Sequence, residues 1–143
     1  MGKMYFGTYR RTIDDKGRLQ IPPKLLSSED EKTLYILKGF DGCLSVYPEE
    51  AFSRLMDKLQ SLSFRDPSSR AYMRLALASM AELKIDAHGR ITIGRELLDK
   101  YRIDGEVTLV GVIDHFEIWE PKAQEEYFKA KDKEYESLAS EAK

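Results

Sequence analysis

Disulfide and metal chemistry are all but excluded by what the chain does not contain. It has one cysteine, Cys43, and two histidines, His88 and His115. A single thiol closes no intramolecular disulfide, and so few soft or imidazole ligands leave no cluster for a structural metal. Cys43 is expected as a small apolar strand residue. No apolar run approaches the roughly 20 residues that span a bilayer. The opening MGKMYFGTYRR lacks the apolar core of a secretory signal, and Phe6 stands where a myristoylation signal carries Ser or Thr. A cytoplasmic protein without a membrane partner is expected. Also missing are a GxGxxG or Walker loop and paired histidines with a carboxylate at ligand spacing, so no cofactor, metal, small-molecule substrate or enzymatic activity is expected. His115, with Asp114 and Glu117 close by, comes nearest to an acid–base set. Strand alternation, however, puts His115 and Glu117 opposite Phe116 and Ile118, toward solvent, and no nucleophile accompanies them.

A basic excess is missing as well. The formal net charge is −2, which by itself argues against a nucleic-acid binder. The charge is unevenly placed, however. Met1 to Lys24 holds six basic residues against two acidic ones, whereas Glu120 to Lys143 holds seven acidic and five basic. Any polyanion would meet the front of the chain, and the acidic end reads as a solvated helix face.

What the sequence does contain is a repeat. Shifted by 72 positions, Ile13–Leu26 aligns with Ile85–Leu98 with seven of fourteen residues identical, where roughly one is expected by chance. The matched positions include Asp14/Asp86, Gly17/Gly89, Arg18/Arg90 and the Leu25–Leu26 and Leu97–Leu98 pairs; further on, Leu44 meets Phe116, Val46 meets Ile118 and Tyr47 meets Trp119. Each copy reads as strand, strand, short helix, strand, strand. RRTID and RLQIP alternate around the DKG loop as a short β-hairpin whose glycine is left-handed. PPKLL and RELLDKY each bury a leucine pair; TLYILK with CLSVY, and EVTLVG with HFEIW, form the later strand pairs. Between the copies, Pro48 opens a helix carrying Phe52, Leu55, Met56 and Leu59. A second starts with Asp66 as N-cap and Pro67 in its first turn, and its ALASMA stretch predicts close helix packing. A third follows Pro121, with a charged end expected to fray from Lys129. The boundaries expected are 5–47 for the first module, 48–75 for connecting helices, 76–119 for the second module and 120–143 for the C-terminal helix. With no flexible linker between them, the halves are expected to pack as one α+β, β-rich body with pseudo-twofold symmetry.

The repeated turn is the candidate site. Asp14 and Asp86 end one strand, Gly17 and Gly89 relieve the backbone, and Arg18 and Arg90 begin the next. A local Asp–Arg pair would suffice to shape a single turn. Two copies, with Lys16 beside one and His88 beside the other, suggest more. A guanidinium bonds a phosphate or a guanine edge in bidentate fashion, and a two-stranded ribbon fits the major groove. Arg10 and Arg11 extend the basic surface of the first copy; their counterparts are Glu82 and Leu83.

Over nearly its whole length, through FGTYRRTIDDKGRLQIP, RLALASMAELKIDAHGRITIG and VTLVGVIDHFEIWEP, the sequence resembles the MraZ family. The resemblance implies two tandem AbrB-like halves, each a swapped-hairpin, double-psi-like barrel module with a DxxxR motif, here Asp14 to Arg18 and Asp86 to Arg90. It implies a nucleoid-associated regulator that binds double-stranded DNA at repeated promoter boxes of its own operon, the division and cell wall gene cluster. It also implies a ring-shaped homo-oligomer, typically an octamer. Arg18 and Arg90 would contact DNA, with Lys16 inside the family's DxKGR pattern in the first half only. His88 in place of Lys, and Gly94 where Pro22 stands in the first copy, leave the second half's contribution open. An AbrB-like antitoxin whose hairpins are structural and whose main partner is a protein is the alternative.

Overall fold

The computed structural model describes residues 3–26 and 30–143. The first copy holds β1 (Thr8–Thr12), β2 (Arg18–Gln20), a 3-10 turn (Pro23–Leu25), β3 (Thr33–Lys38) and β4 (Leu44–Pro48). Two helices follow, α1 (Glu49–Ser61) and α2 (Pro67–Ala78). The second copy holds β5 (Ala81–Lys84), β6 (Arg90–Thr92), α3 (Arg95–Lys100), β7 (Glu106–Gly111) and β8 (Phe116–Trp119), and is followed by α4 (Pro121–Asp132) and α5 (Tyr135–Glu141). The repeat runs further than the strands: α4 stands 72 residues after α1.

Strand pairing interleaves the copies. A six-stranded sheet runs β1-β7-β8-β4-β3-β5, and β2 pairs with β6 in a separate two-stranded ribbon. Because β1 lies on β7 as β5 lies on β3, and β4–β8 and β2–β6 each join equivalent strands, the order is unchanged when the copies are exchanged. This is the expected pseudo-twofold. No closed barrel forms among the described residues. The β3–β4 and β7–β8 pairs are those expected.

The hairpin expected around each DxxxR turn is different. Across the first turn a single bridge, Ile13 just after β1 to Leu19 of β2, is made among the described residues. Leu19 and Ile91 bury completely against each other's half, and that burial draws β2 and β6 together and away from the strands that precede them. One core holds both copies: Leu19, Ile21 and Leu44 meet their counterparts Ile91, Ile93 and Phe116 in it. Each leucine pair gives one fully buried member, Leu25 in one and Leu98 in the other.

The helices start where the sequence places them. The Asp66 carboxylate accepts the Ser69 N–H at 2.9 Å ahead of Pro67, and Glu120 caps α4 in the same way through Lys122 and Ala123. Helix α1 lays Phe52 on Tyr35, rings 3.9 Å apart, while α4 brings Tyr127 and Phe128 to the buried Trp119. Beyond Lys129, α4 runs on to Asp132, and after a turn at Lys133 and Glu134 the chain resumes as the separate helix α5. The ALASMA stretch is not closely packed: Ala76 is buried, but Leu77 stands 48% exposed, as does Leu75 just before it at 61%. No helix among the described residues is long and apolar enough to cross a membrane.

Candidate nucleic-acid interface

The two repeated turns have the same internal chemistry. In the first, the Asp14 carboxylate accepts the backbone N–H of Lys16 at 3.0 Å and of Arg18 at 2.8 Å through Oδ1, and Arg18 Nε–H at 2.7 Å through Oδ2. In the second, Asp86 accepts from His88 N at 2.8 Å, Arg90 N at 2.9 Å and Arg90 Nε at 2.9 Å. The backbone bond from Arg18, followed by its guanidinium, lowers the Asp14 carboxyl below its ordinary value. The corresponding bond from the Arg90 N–H leads in holding Asp86 down at about 2. Gly17 has φ +79, and a Cβ there would stand 2.1 Å from the Ile93 carbonyl oxygen, so the position admits only glycine.

Each aspartate thus uses the arginine's Nε and leaves its Nη groups, which make no hydrogen bond among the described residues. Those two nitrogens are the pair that grips a phosphate or the O6 and N7 of guanine. Arg18 and Arg90 are partly exposed, with side chains at 40% and 35%.

The ribbon fixes how the two arginines relate. Arg18 stands opposite Thr92, Leu19 opposite Ile91 and Gln20 opposite Arg90. Since side chains alternate, Leu19 and Ile91 face the core and the other four share the outer face. The arginines lie on its diagonal, a separation of roughly 7–8 Å between backbones. The copies also bind each other's turns: Ile93 N–H donates to the Gly17 carbonyl at 2.8 Å, and Ile21 N–H to that of Gly89 at 3.0 Å.

Lys16 is exposed at the tip of the first turn, and its ammonium reaches no partner among the described residues. Arg10 and Arg11 lie apart from the ribbon on β1, at an edge of the large sheet. The Arg10 guanidinium bonds Glu106 at 3.3 Å and Glu125 at 2.9 Å, while Arg11 lies 5.8 Å over the Tyr9 ring. Gly94 holds φ −61 and ψ 142, matching −56 and 136 at Pro22, so the departure from proline leaves the backbone unchanged.

Three residues of this surface escape a reading of the motif alone: Gln20, Thr92 and Arg95. Gln20 and Thr92 follow their arginine by two, so alternation places them beside it. Nothing local marks Arg95, whose Nη2 donates to the Asp15 carbonyl at 2.9 Å, 80 positions earlier in the chain.

His115 departs from its expected exposure. Its side chain is 17% exposed, its ring stacks on Tyr47 at 4.2 Å, and Nδ1 sits 2.8 Å from Asp114 Oδ1. Tyr47 comes from the other copy, through the β4–β8 pairing. Burial and the Asp114 charge push the Tyr47 hydroxyl up to about 12, so it stays neutral. Cys43 is buried, as expected, and its thiol is pushed up by that burial. No group of three or more His, Cys, Asp or Glu that could hold a metal occurs among the described residues.

Fold and site together define a tandem, intertwined β-ribbon protein that displays paired arginines. Residues 4–75 and 76–143 each match the family described as "MraZ protein, putative antitoxin-like". A transcriptional regulator MraZ of Moorella thermoacetica is 40% identical over 136 residues, covering 95% of this chain and 94% of that one. One of Caldanaerobacter subterraneus subsp. tengcongensis is 37% identical over the same lengths. One of Mesoplasma florum is 36% identical over 124 residues, 87% of this chain and 85% of its own. The chain belongs to the MraZ family, whose members named here are transcriptional regulators and not enzymes.

Proposed function

We propose that this transcriptional regulator binds double-stranded DNA in a sequence-specific way through the outer face of the β2–β6 ribbon. Arg18 and Arg90 grip base edges or phosphates, and Lys16 adds a phosphate contact. The observation that carries the reading is the pair of Asp–Arg forks on one diagonal, each holding its arginine by Nε and leaving Nη1 and Nη2 outward. Arg10 and Arg11 serve as outlying phosphate contacts, Arg10 after exchanging a carboxylate partner. The target is a set of repeated boxes upstream of the chain's own operon, the division and cell wall gene cluster, and the protein works at the nucleoid. A ring of copies, such as an octamer, presents several ribbons to successive boxes, and linked weak contacts raise avidity. The exposed Leu75, Leu77 and Phe64 on and before α2 supply apolar surface for that self-assembly.

Fluorescence anisotropy with DNA from upstream of the gene, beside a shuffled control, tests this across salt concentrations. Wild type is expected to prefer the promoter DNA and to weaken as salt rises. Arg18→Ala is expected to lose about 1–3 kcal/mol with the oligomer intact. Equal weak binding to both DNAs, unchanged in the variant, contradicts the reading. The apolar face of α2 then favours a protein partner, as the antitoxin-like description of the family suggests.

A further inference from the structure

The outer surface of each turn is braced by a side chain from the opposite copy. Gln20 Nε2 donates to the His88 carbonyl at 2.7 Å, with a longer contact of 3.4 Å to that of Gly89. Arg95 Nη2 donates to the Asp15 carbonyl at 2.9 Å. The backbone cross-links between the copies follow the repeat, but these braces do not. The counterpart of Gln20 is Thr92 and that of Arg95 is Pro23, neither of which makes the matching contact among the described residues. Each turn therefore has one brace, of different chemistry, at neighbouring positions of its tip.

Resting on the DNA-binding reading above, we infer that Gln20 and Arg95 are positioning residues: they fix the two turns against the opposite copy so that Arg18 and Arg90 are presented as one rigid pair. The turn tips are exposed, and their carbonyls at Asp15 and His88 have no strand to bond. An unbraced tip moves, and the Asp–Arg fork built on its backbone moves with it. Ordering it on DNA then costs affinity, whereas a braced tip arrives already ordered. Neither brace touches DNA in this role; both act through the arginines.

The test uses the full-length protein, promoter DNA and four variants: Gln20→Met, Arg95→Met, Arg95→Lys and Arg18→Ala. Gln20→Met and Arg95→Met are expected to weaken binding roughly three- to tenfold. The slope of log affinity against log salt should stay unchanged, because no phosphate contact is removed. Hydrogen exchange at the His88 amide should quicken in free Gln20→Met and slow again when DNA is bound. Arg95→Lys, which keeps a donor, should restore most of the Arg95→Met loss. A salt slope that falls by about one in Arg95→Met would instead make Arg95 a direct phosphate contact and overturn its bracing role. Wild-type affinity in both Met variants, with Arg18→Ala defective, overturns the inference and leaves the DNA reading standing. Wild-type binding by Arg18→Ala removes the DNA reading, and the inference with it.

Discussion

Asp14 and Asp86 show how one short side chain can set a turn and aim a second residue. Each accepts two backbone N–H groups and one guanidinium N–H, so the acid that shapes the turn also fixes its arginine. Both carboxyls are held below their ordinary value of 3.8, Asp86 at about 2. A folded value below the unfolded one means that the turn's contribution is complete above pH 3.8 and is lost as pH falls toward 2. A carboxyl NMR titration should place the Asp86 midpoint near 2, and Asp86→Asn should flatten the stability profile across that window; an Asp86 midpoint near 3.8 would contradict the fork. This much was legible in the sequence, because Asp, Gly and Arg at fixed spacing carry the turn's chemistry within five residues. The partial burial of His115 was not. Alternation shows which face a residue takes, but the Tyr47 ring that covers that face arrives from 68 positions earlier in the chain.

At the scale of elements, helix starts and strand faces were legible and strand partners were not. Asp66, Pro67 and Pro121 mark their helix termini through interactions only a few residues long. A period of two shows that Leu19 and Ile91 face inward but says nothing of what they face. The hairpin expected of each turn gives way to a ribbon between turns, in which Leu19 and Ile91 stand opposite each other and are both fully buried. The start of α3 offers a measurable case. Gly94 already has proline-like backbone angles, a Cβ there would meet no atom within 4 Å, and its N–H bonds nothing among the described residues. Gly94→Pro is expected to stabilise the protein by about 0.4–1 kcal/mol, read as a raised melting temperature with unchanged DNA binding. A lowered melting temperature would show that the site needs glycine's freedom.

For the whole molecule, the exchange symmetry means that either copy can stand in for the other as a pairing partner. The first copy supplies an edge for β5 and takes an edge from β7, and its β2 and β4 meet their own equivalents. A fragment of residues 4–75 is therefore expected to fold as a homodimer, pairing β2 with β2 and β4 with β4, with a sedimentation mass twice that of the fragment. A folded monomer of that fragment would contradict the interleaved topology. The repeat announced two copies, but not that neither completes a sheet alone. That follows only once each strand's neighbour is known.

The same interleaving decides what a protease can achieve. The segment Ser63–Asp66 between α1 and α2 is exposed throughout and offers Arg65 to trypsin. A cut there divides the polypeptide into two pieces of similar size. Each piece still supplies one edge strand of the large sheet, two of its inner strands and one strand of the ribbon. The nicked protein would run as one species under native conditions and as two bands in denaturant, its paired arginines still in place.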